Sequence, residues 1–265
     1  MGNIVAFFSA DNKVGCTMIS QAIANILSKK GKTVLYIHMD GNPGTEYIEN
    51  HQFGLDDIRI QLLSDVITID DIKSICHKRD NLYSIKGSVN YTERKKITPE
   101  QGAKLLELVK VEFDVVILDA GYSDCGLSIA SIENSNLNFL VTTQQNTAFE
   151  KFKRYKTQVL NEFDFKFEWL IINKFSYSMA AFLPTENEIA DNYGFSKEKT
   201  IKVPNSSYAW QAELEKATLL EYKEKNVIKS INDIANLISG ELWEDNTKSK
   251  ENVSKGKFLL KRKGK

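Results

Sequence analysis

The sequence predicts an α/β protein of three layers, with helices on both faces of a twisted, mostly parallel sheet. Two observations predict this class. The strongest apolar runs are continuous rather than alternating, as in strands that are covered on both faces. The stretches between them are long enough to hold helices, which parallel strands need as crossover connections. A length of 265 residues suits one large α/β domain with a tail.

The elements follow from local patterns along the chain. NIVAFFS is an apolar run that ends in polar turn residues, and apolar residues then recur at helical spacing from Ile19 to Leu27. Gly31 suits the left-handed cap of this helix, and TVLYIHMD follows as a second strand. PEQGAKLLELVKVEF is one of the later segments predicted to hold a helix. Four further runs are predicted strands: FDVVILDA, LNFLVTT, FEWLIIN and TIKV.

The composition of the chain changes after Trp243. Beyond it the sequence is polar, rich in lysine and poor in core residues, so we predict a domain over 1–243 and a basic, flexible tail over 244–265. The whole chain balances 35 basic against 35 acidic residues, so no global field draws it to nucleic acid or anionic lipid. Residues 245–265 alone carry eight basic and two acidic residues, a local charge of +6.

Cysteine usage and hydropathy predict the compartment. Three widely spaced cysteines argue against a disulfide framework or a paired-cysteine metal site, which favours a reducing cytoplasm. No apolar segment has the length needed to cross a bilayer, and the first residues lack the basic region of a secretory signal. We expect a cytoplasmic protein, with peripheral attachment to the inner face of a membrane as the alternative.

The stretch SADNKVGCTMIS, between the first strand and its helix, stands where a phosphate-binding loop belongs. Such a loop points backbone N–H groups at phosphates and adds a lysine for their oxygens and a Ser or Thr hydroxyl for Mg²⁺. Gly15 and Thr17 fit this pattern, but Cys16 stands where the lysine belongs. Asn12 and Lys13 stand where glycine would permit positive φ, which asparagine tolerates better than lysine. The candidate nucleotide-binding residues here are Asn12, Lys13, Val14, Gly15, Cys16, Thr17 and Met18.

The order of motifs over roughly residues 1–240 resembles the MinD/ParA family of P-loop ATPases. That family's loop reads lysine-Gly-Gly-x-Gly-lysine-Thr, so Asp11 takes the place of the signature lysine and Cys16 that of the common lysine. VLYIHMDGN resembles the motif that carries the switch I aspartate, here Asp40, with His38 in place of its companion acid. FDVVILDAG resembles the strand that ends in the magnesium-associated aspartate, here Asp119.

Two later segments extend the resemblance. LIINK puts Asn173 where the family contacts adenine, and VPNSSYAWQAELEKATLLEY resembles a late segment that begins with a proline, here Pro204. The resemblance implies ATP and Mg²⁺ as cofactors, and Asp40 as the catalytic candidate if the protein is active. It places three residues on the magnesium side: Thr17, Asp40 and Asp119. The alternative is that these three are ordinary strand-end and helix-cap residues.

The missing lysines predict weak nucleotide binding and little or no hydrolysis. Losing one charge-assisted phosphate contact costs about 1.5 to 3 kcal/mol, which binding survives. Hydrolysis depends on cations placed where charge develops on the phosphoryl group. In the family the signature lysine reaches the partner's nucleotide across a dimer, so Asp11 predicts a weak or absent ATP-sandwich dimer. A reactive thiol at a helix N-terminus is the alternative to a merely small side chain at Cys16.

The functional hypothesis is therefore a localisation or assembly factor. Within the family, the TadZ/CpaE group, which localises pilus and secretion machines, is similar in its small residue at the lysine position, although it keeps the loop glycines and usually carries a receiver-like domain. Two alternatives stay open: an active Mg-ATPase in which Lys13 replaces the lost cation, and a scaffold without nucleotide.

The expected partners of the protein are a second copy of the chain and a larger bacterial assembly. KGKFLLKRKGK resembles the membrane-binding end of MinD, so an anionic membrane is a further expected partner. The alternatives for this segment are a solvated tail and a contact with nucleic acid.

Overall fold

The computed structural model describes residues 2–40, 53–88, 90–163, 165–179 and 181–244, and these contain one sheet of eight strands. The strands are β1 (Asn3–Ser9), β2 (Val34–His38), β3 (His77–Arg79), β4 (Leu82–Ile85), β5 (Val115–Gly121), β6 (Leu137–Thr142), β7 (Trp169–Phe175) and β8 (Thr200–Pro204). Their order across the sheet is β3-β4-β2-β5-β1-β6-β7-β8. Every neighbouring pair is parallel except β3 and β4. The predicted mostly parallel sheet is confirmed.

Helices connect the parallel strands. In the described ranges they are α1 (Cys16–Lys29), α2 (Arg59–Leu63), α3 (Ile69–Ser74), α4 (Tyr91–Arg94), α5 (Pro99–Val109), α6 (Gly126–Glu133), α7 (Asn146–Gln158), α8 (Glu186–Tyr193), α9 (Ala209–Glu215) and α10 (Lys225–Ser239). Gly31 follows α1 with φ +86°, the left-handed conformation expected of it. None of these helices has the length and apolar character that crossing a bilayer requires.

The core lies on both faces of the sheet, as continuous apolar strands require. Along β1, Ile4, Ala6 and Phe8 join one buried cluster. Val5 and Phe7 join the other, together with residues of α1 and α10. Residues of α5 and α6 pack in the first cluster, so helices cover both faces and the three-layer prediction is confirmed.

The antiparallel edge pair β3–β4 was not predicted. β3 has three residues and β4 has four, and the sequence HKR of β3 is half-buried to exposed. No apolar run marks such a short edge strand, so the pattern that reveals the buried strands fails here. The boundary at 243 stays a prediction, and the tail over 245–265 lies outside the described residues.

Candidate functional site

The loop between β1 and α1 forms at the carboxyl edge of the sheet, where parallel α/β sheets place their sites. Gly15 is the N-cap residue of α1 and has φ +92°, so glycine is favoured at this turn. Lys13 has φ +60°, whereas Asn12 is not among the residues with positive φ. The lysine, and not the asparagine, therefore takes the left-handed conformation, at a cost of about 1 kcal/mol.

Two side chains from β7 brace this loop. Asn173 Nδ2 donates a hydrogen bond of 2.7 Å to the carbonyl of Val14. Lys174 Nζ donates one of 2.7 Å to the carbonyl of Lys13. A Cβ added to Gly15 would overlap Asn173 Nδ2, so glycine is needed for close approach as well as for its φ. Asn173 thus binds the loop backbone, and its predicted contact with adenine stays a prediction.

Asp11 is paired inside the molecule. Lys151 Nζ of α7 lies 2.8 Å and 2.9 Å from the two carboxylate oxygens of Asp11. The Asp11 side chain is only 10% exposed, while that of Lys151 is 53% exposed. A bidentate contact to a nearly buried carboxylate neutralises the charge that the sequence places at the signature position. The loop therefore presents an internal ion pair where a free lysine was to be expected from the MinD/ParA pattern.

Cys16 points into the core rather than toward the loop. Its side chain is buried, and Sγ donates to the carbonyl of Phe7 at 3.3 Å. Burial, with the nearby Asp119 carboxylate adding to it, raises the pKa of the Cys16 thiol well above its ordinary value. A reactive thiol needs the opposite shift, so these surroundings favour the small, inert side chain over the nucleophile.

His38 lies between the two aspartates of the predicted magnesium site. Its Nε2 is 3.0 Å from Asp40 Oδ1, and its Nδ1 is 3.0 Å from Asp119 Oδ2. The second contact has the distance of an ion pair, although its angle is too poor for a regular hydrogen bond. Burial alone would lower the pKa of His38, but the carboxylates of Asp119 and Asp40 outweigh it and raise that pKa to about 10.

Further donors hold Asp119. Tyr36 OH donates to its Oδ2 at 3.2 Å, and the backbone N–H of Gly121 donates to its Oδ1 at 3.2 Å. Gly121 has φ +57°, and a Cβ there would overlap the side chain of Asp40. The backbone of β5 at Gly121 thus lies against the Asp40 carboxylate, while the side chains of His38 and Tyr36 contact the Asp119 carboxylate.

As arranged, these side chains do not fit Mg²⁺. Magnesium demands octahedral oxygen ligands at about 2.0–2.1 Å and keeps several of its waters. Here Asp40 Oδ1 lies 3.0 Å from one imidazole nitrogen of His38 and Asp119 Oδ2 lies 3.0 Å from the other, and the Gly121 backbone lies close against the Asp40 side chain. No group of three or more His, Cys, Asp and Glu residues in the described ranges forms a metal site. Thr17, the third predicted ligand, lies half-buried in the first turn of α1.

The remaining predicted residues lie at the same edge of the sheet. Pro204 ends β8 beside Phe175 of β7, and Met18 is half-buried in the first turn of α1. The first N–H groups of α1 lack acceptors within the helix, and no acidic residue occupies its first turn. This end of α1 can therefore still accept an anionic group.

Solved structures supply the comparison that decides the fold. A ParA family ATPase from Chlorobium tepidum is 21% identical over 89% of this chain and 99% of its own, with a TM-score of 0.73. MinD from Pyrococcus horikoshii, solved with Mg-ADP, is 16% identical over 91% of this chain and 99% of its own, at 0.71. The MinC:MinD complex of Aquifex aeolicus matches at 14% identity over 89% and 96%, at 0.70. The chain has the MinD/ParA fold.

Sequence comparison adds nothing to this likeness. No protein-family model matches the chain, and no curated protein sequence matches it. At identities of 21% and below, the likeness establishes the MinD/ParA fold, and a site on that fold must be argued from its own residues.

Three residues that shape the site on this MinD/ParA fold were not predicted: Tyr36, Lys151 and Lys174. Lys151 lies among several basic residues of α7, and no local pattern distinguishes it. Lys174 follows Asn173 directly, so the motif LIINK contained a usable signal. Burial lowers the pKa of Lys174, as expected for an ammonium drawn against the loop.

Proposed function

We propose that this protein is a localisation or assembly factor on the MinD/ParA fold, with weak nucleotide binding and little or no hydrolysis. One observation carries the proposal: neither of the two loop positions that hold lysine in the family pattern offers a free cation. Asp11 is tied to Lys151, and Cys16 is turned into the core. Proteins of this fold include cell-division and ParA-type ATPases, which supports a role in positioning rather than metabolism.

Weak binding and poor catalysis follow from the same contacts. The N-terminus of α1 and the left-handed Gly15 remain as a phosphate cradle, so some affinity is retained. Transfer of a phosphoryl group needs positive charge on its oxygens as the transition state forms. Lys151 cannot supply that charge without giving up Asp11.

The expected partners are a second copy of the chain and a larger bacterial assembly. The MinD of Aquifex aeolicus forms a complex with MinC, which supports partner binding as a use of this fold. Because of the basic tail, an anionic membrane surface is a further expected partner. The protein would then be cytoplasmic and attached peripherally to the inner face of the membrane.

An active Mg-ATPase remains the second candidate, because Lys13 is exposed at the loop and its backbone is held by Lys174. A flexible ammonium there can reach a phosphate that the lost lysine would have contacted. The position of Lys13 supports nucleotide binding more directly than it supports ATP hydrolysis.

Calorimetric titration of ATP into the purified full chain tests the proposal, with phosphate release measured on the same samples. We expect weak binding that Lys13→Ala reduces about tenfold, the value of one charge-assisted contact, and no release above background. Lys29→Ala, at the far end of α1, is the matched control and should bind as the wild type does. Turnover removed by Lys13→Ala would establish the ATPase. No binding at millimolar ATP would leave the nucleotide-free scaffold.

A further inference from the structure

A cavity of about 500 Å³ opens at the amino edge of the sheet. Two of its lining residues, Glu168 and Lys199, directly precede β7 and β8, and a third, Gly194, directly follows α8. The amino ends of parallel strands share one edge of a sheet, and the loop between β1 and α1 lies at the other edge. The cavity is therefore separate from the candidate nucleotide site.

Aromatic side chains dominate the apolar part of the cavity wall. The aromatic lining residues are Phe152, Phe163, Phe165, Phe167, Tyr193 and Phe195. Two of them, Phe152 and Tyr193, belong to the buried core, whereas the other four are half-buried and only pack against it. Phenylalanine is usually buried, so four half-buried rings around one cavity leave apolar surface that a ligand can cover.

The rings hold one another in place. Phe165 meets Phe167 edge to face, with 5.3 Å between the ring centroids. The ring of Phe152 lies 5.4 Å from that of Tyr193 and 6.1 Å from that of Phe167. Aromatic pairs in such tilted arrangements attract each other beyond the burial of their area. The wall is therefore formed in advance, and a ligand does not have to order it on binding.

Two lysines supply positive charge at this cavity. Lys156 lies in the last turn of α7, and Lys166 lies between α7 and β7. Within the part of the chain that the structure describes, neither ammonium has an ion-pair partner. The third lining lysine, Lys199, is directed elsewhere, because its ammonium lies 4.0 Å from the ring centroid of Trp169, which packs on the other face of the sheet.

The balance of charges favours an anionic ligand over a cationic one. The lining carboxylate of Glu168 already accepts from the backbone N–H of Asn138 at 2.8 Å. The carboxyl-terminal ends of α7 and α8 each weaken the binding of an anion by about two- to fivefold. A charge-assisted contact with one lysine strengthens it by about tenfold to a hundredfold, so the lysines outweigh the helix ends.

We propose that this cavity binds a small apolar acid, with its hydrocarbon body among the phenylalanine rings and its single anionic group at Lys156 and Lys166. The basic tail of the chain is a poorer occupant, because its own positive charge would face the same two lysines. The proposal does not depend on nucleotide binding, because the cavity shares no residue with the loop between β1 and α1.

Calorimetric titration of octanoate and of octanol into the full chain tests the site. The two probes have the same chain length, and only octanoate carries a charge. Octanoate should bind at least about tenfold more tightly than octanol, the value of one charge-assisted contact. Equal affinities for the two probes, or no binding of octanoate at millimolar concentration, would overturn the proposal.

The double variant Lys156→Gln, Lys166→Gln tests where the anionic group lies. It should lose about tenfold or more in affinity for octanoate and bind octanol as the wild type does. Lys153→Gln with Lys197→Gln is the matched control, because both of these exposed lysines lie nearby in the sequence and neither is among the lining residues. An equal loss of octanoate affinity in both double variants would show that no specific contact exists.

A measurement on the wild type locates the hydrocarbon body without any substitution. In proton NMR, nuclear Overhauser contacts should join the octanoate chain to the ring protons of Phe165 and Phe167, which line the cavity. Octanoate that binds without contacts to these rings would lie at another place on the protein, and the assignment to this cavity would be wrong.

Discussion

Charges at the site are balanced by partners within the chain. Asp11 is paired with Lys151, and the carboxylates of Asp40 and Asp119 share His38. At the scale of single residues, the charged side chains at this edge of the sheet lie next to groups of opposite charge or to an imidazole, which lowers the cost of burying them.

Removing Lys151 should destabilise the fold, because the nearly buried Asp11 carboxylate loses the ammonium group that contacts both of its oxygens. We expect Lys151→Ala to lower the free energy of unfolding by about 1 to 2 kcal/mol, between the values of exposed and buried pairs. Urea unfolding measures this, and Lys153→Ala on the same helix is the control. If both variants lose the same stability, the pair contributes nothing. In a double-mutant cycle with Asp11→Asn the two effects should not add.

The pH dependence of stability should reveal His38. Its pKa is raised from 6.5 to about 10 in the folded state, so the folded protein holds a proton that the unfolded chain releases. The stabilisation is complete below pH 6.5 and is lost as the pH rises through about 10. The unfolding midpoint of the wild type should therefore fall between these limits more steeply than that of His38→Asn. Parallel curves for the two proteins would show that His38 is not charged in the fold.

The loop and β7 act as one element of structure. Asn173 and Lys174 bind successive carbonyls of the loop, and Lys174 itself has φ +54°. The strand thus fixes the backbone conformation of the loop at Lys13 and Val14. The conformation of the loop depends on a strand that lies about 160 residues further along the chain, as the separations of these hydrogen bonds show.

Gly15→Ala tests this bracing, with Gly31→Ala as its matched control. Both glycines have positive φ, so each substitution should lower the free energy of unfolding by about 1 kcal/mol, because alanine disfavours the left-handed conformation. Only at Gly15 does the added Cβ meet another side chain, that of Asn173, while nothing lies near Gly31. Gly15→Ala should therefore cost about 1 to 3 kcal/mol more in urea unfolding. Equal costs would mean that Asn173 yields freely and does not brace the loop.

The described part of the molecule is a sheet covered by helices on both faces, and these helices form the crossover connections between parallel strands. On one of those faces the chain continues past α10 to Leu242, which is 6% exposed, and to Trp243, over which the Lys32 ammonium lies at 4.2 Å from the ring centroid. These contacts show that packing extends to the predicted domain boundary.

Truncation should locate that boundary. A chain that ends at 244 keeps Leu242 and Trp243 and should unfold at the same urea concentration as the full chain. A chain that ends at 241 loses both, and we expect about 2 to 4 kcal/mol less stability, as for deletion of a large buried side chain. Loss of stability in the longer truncation as well would place part of the tail within the domain.

The strands that could be predicted are those covered on both faces. Apolar runs identified β1, β2 and β5–β7, because burial on two sides favours apolar residues at successive positions, and the shorter run TIKV identified β8 at the edge of the sheet. Strands β3 and β4 were not predicted, since the three residues of the edge strand β3 are half-buried to exposed and the four residues of β4 are too few to form a distinct apolar run. Helix α1 was visible through its spacing, and Gly31 through the turn chemistry at its end.

The sequence by itself determined the strand-loop-helix start, the absence of the two lysines from the loop, and the acids at the ends of β2 and β5. These are local patterns, and local patterns are what a sequence displays directly. Only the tertiary structure decided which charges meet: Lys151 with Asp11 across 140 residues, and His38 with Asp119 through the register of two neighbouring strands. The reason is that pairing depends on strand order and helix placement, which arise from packing the whole chain and carry no signal at the paired residues themselves.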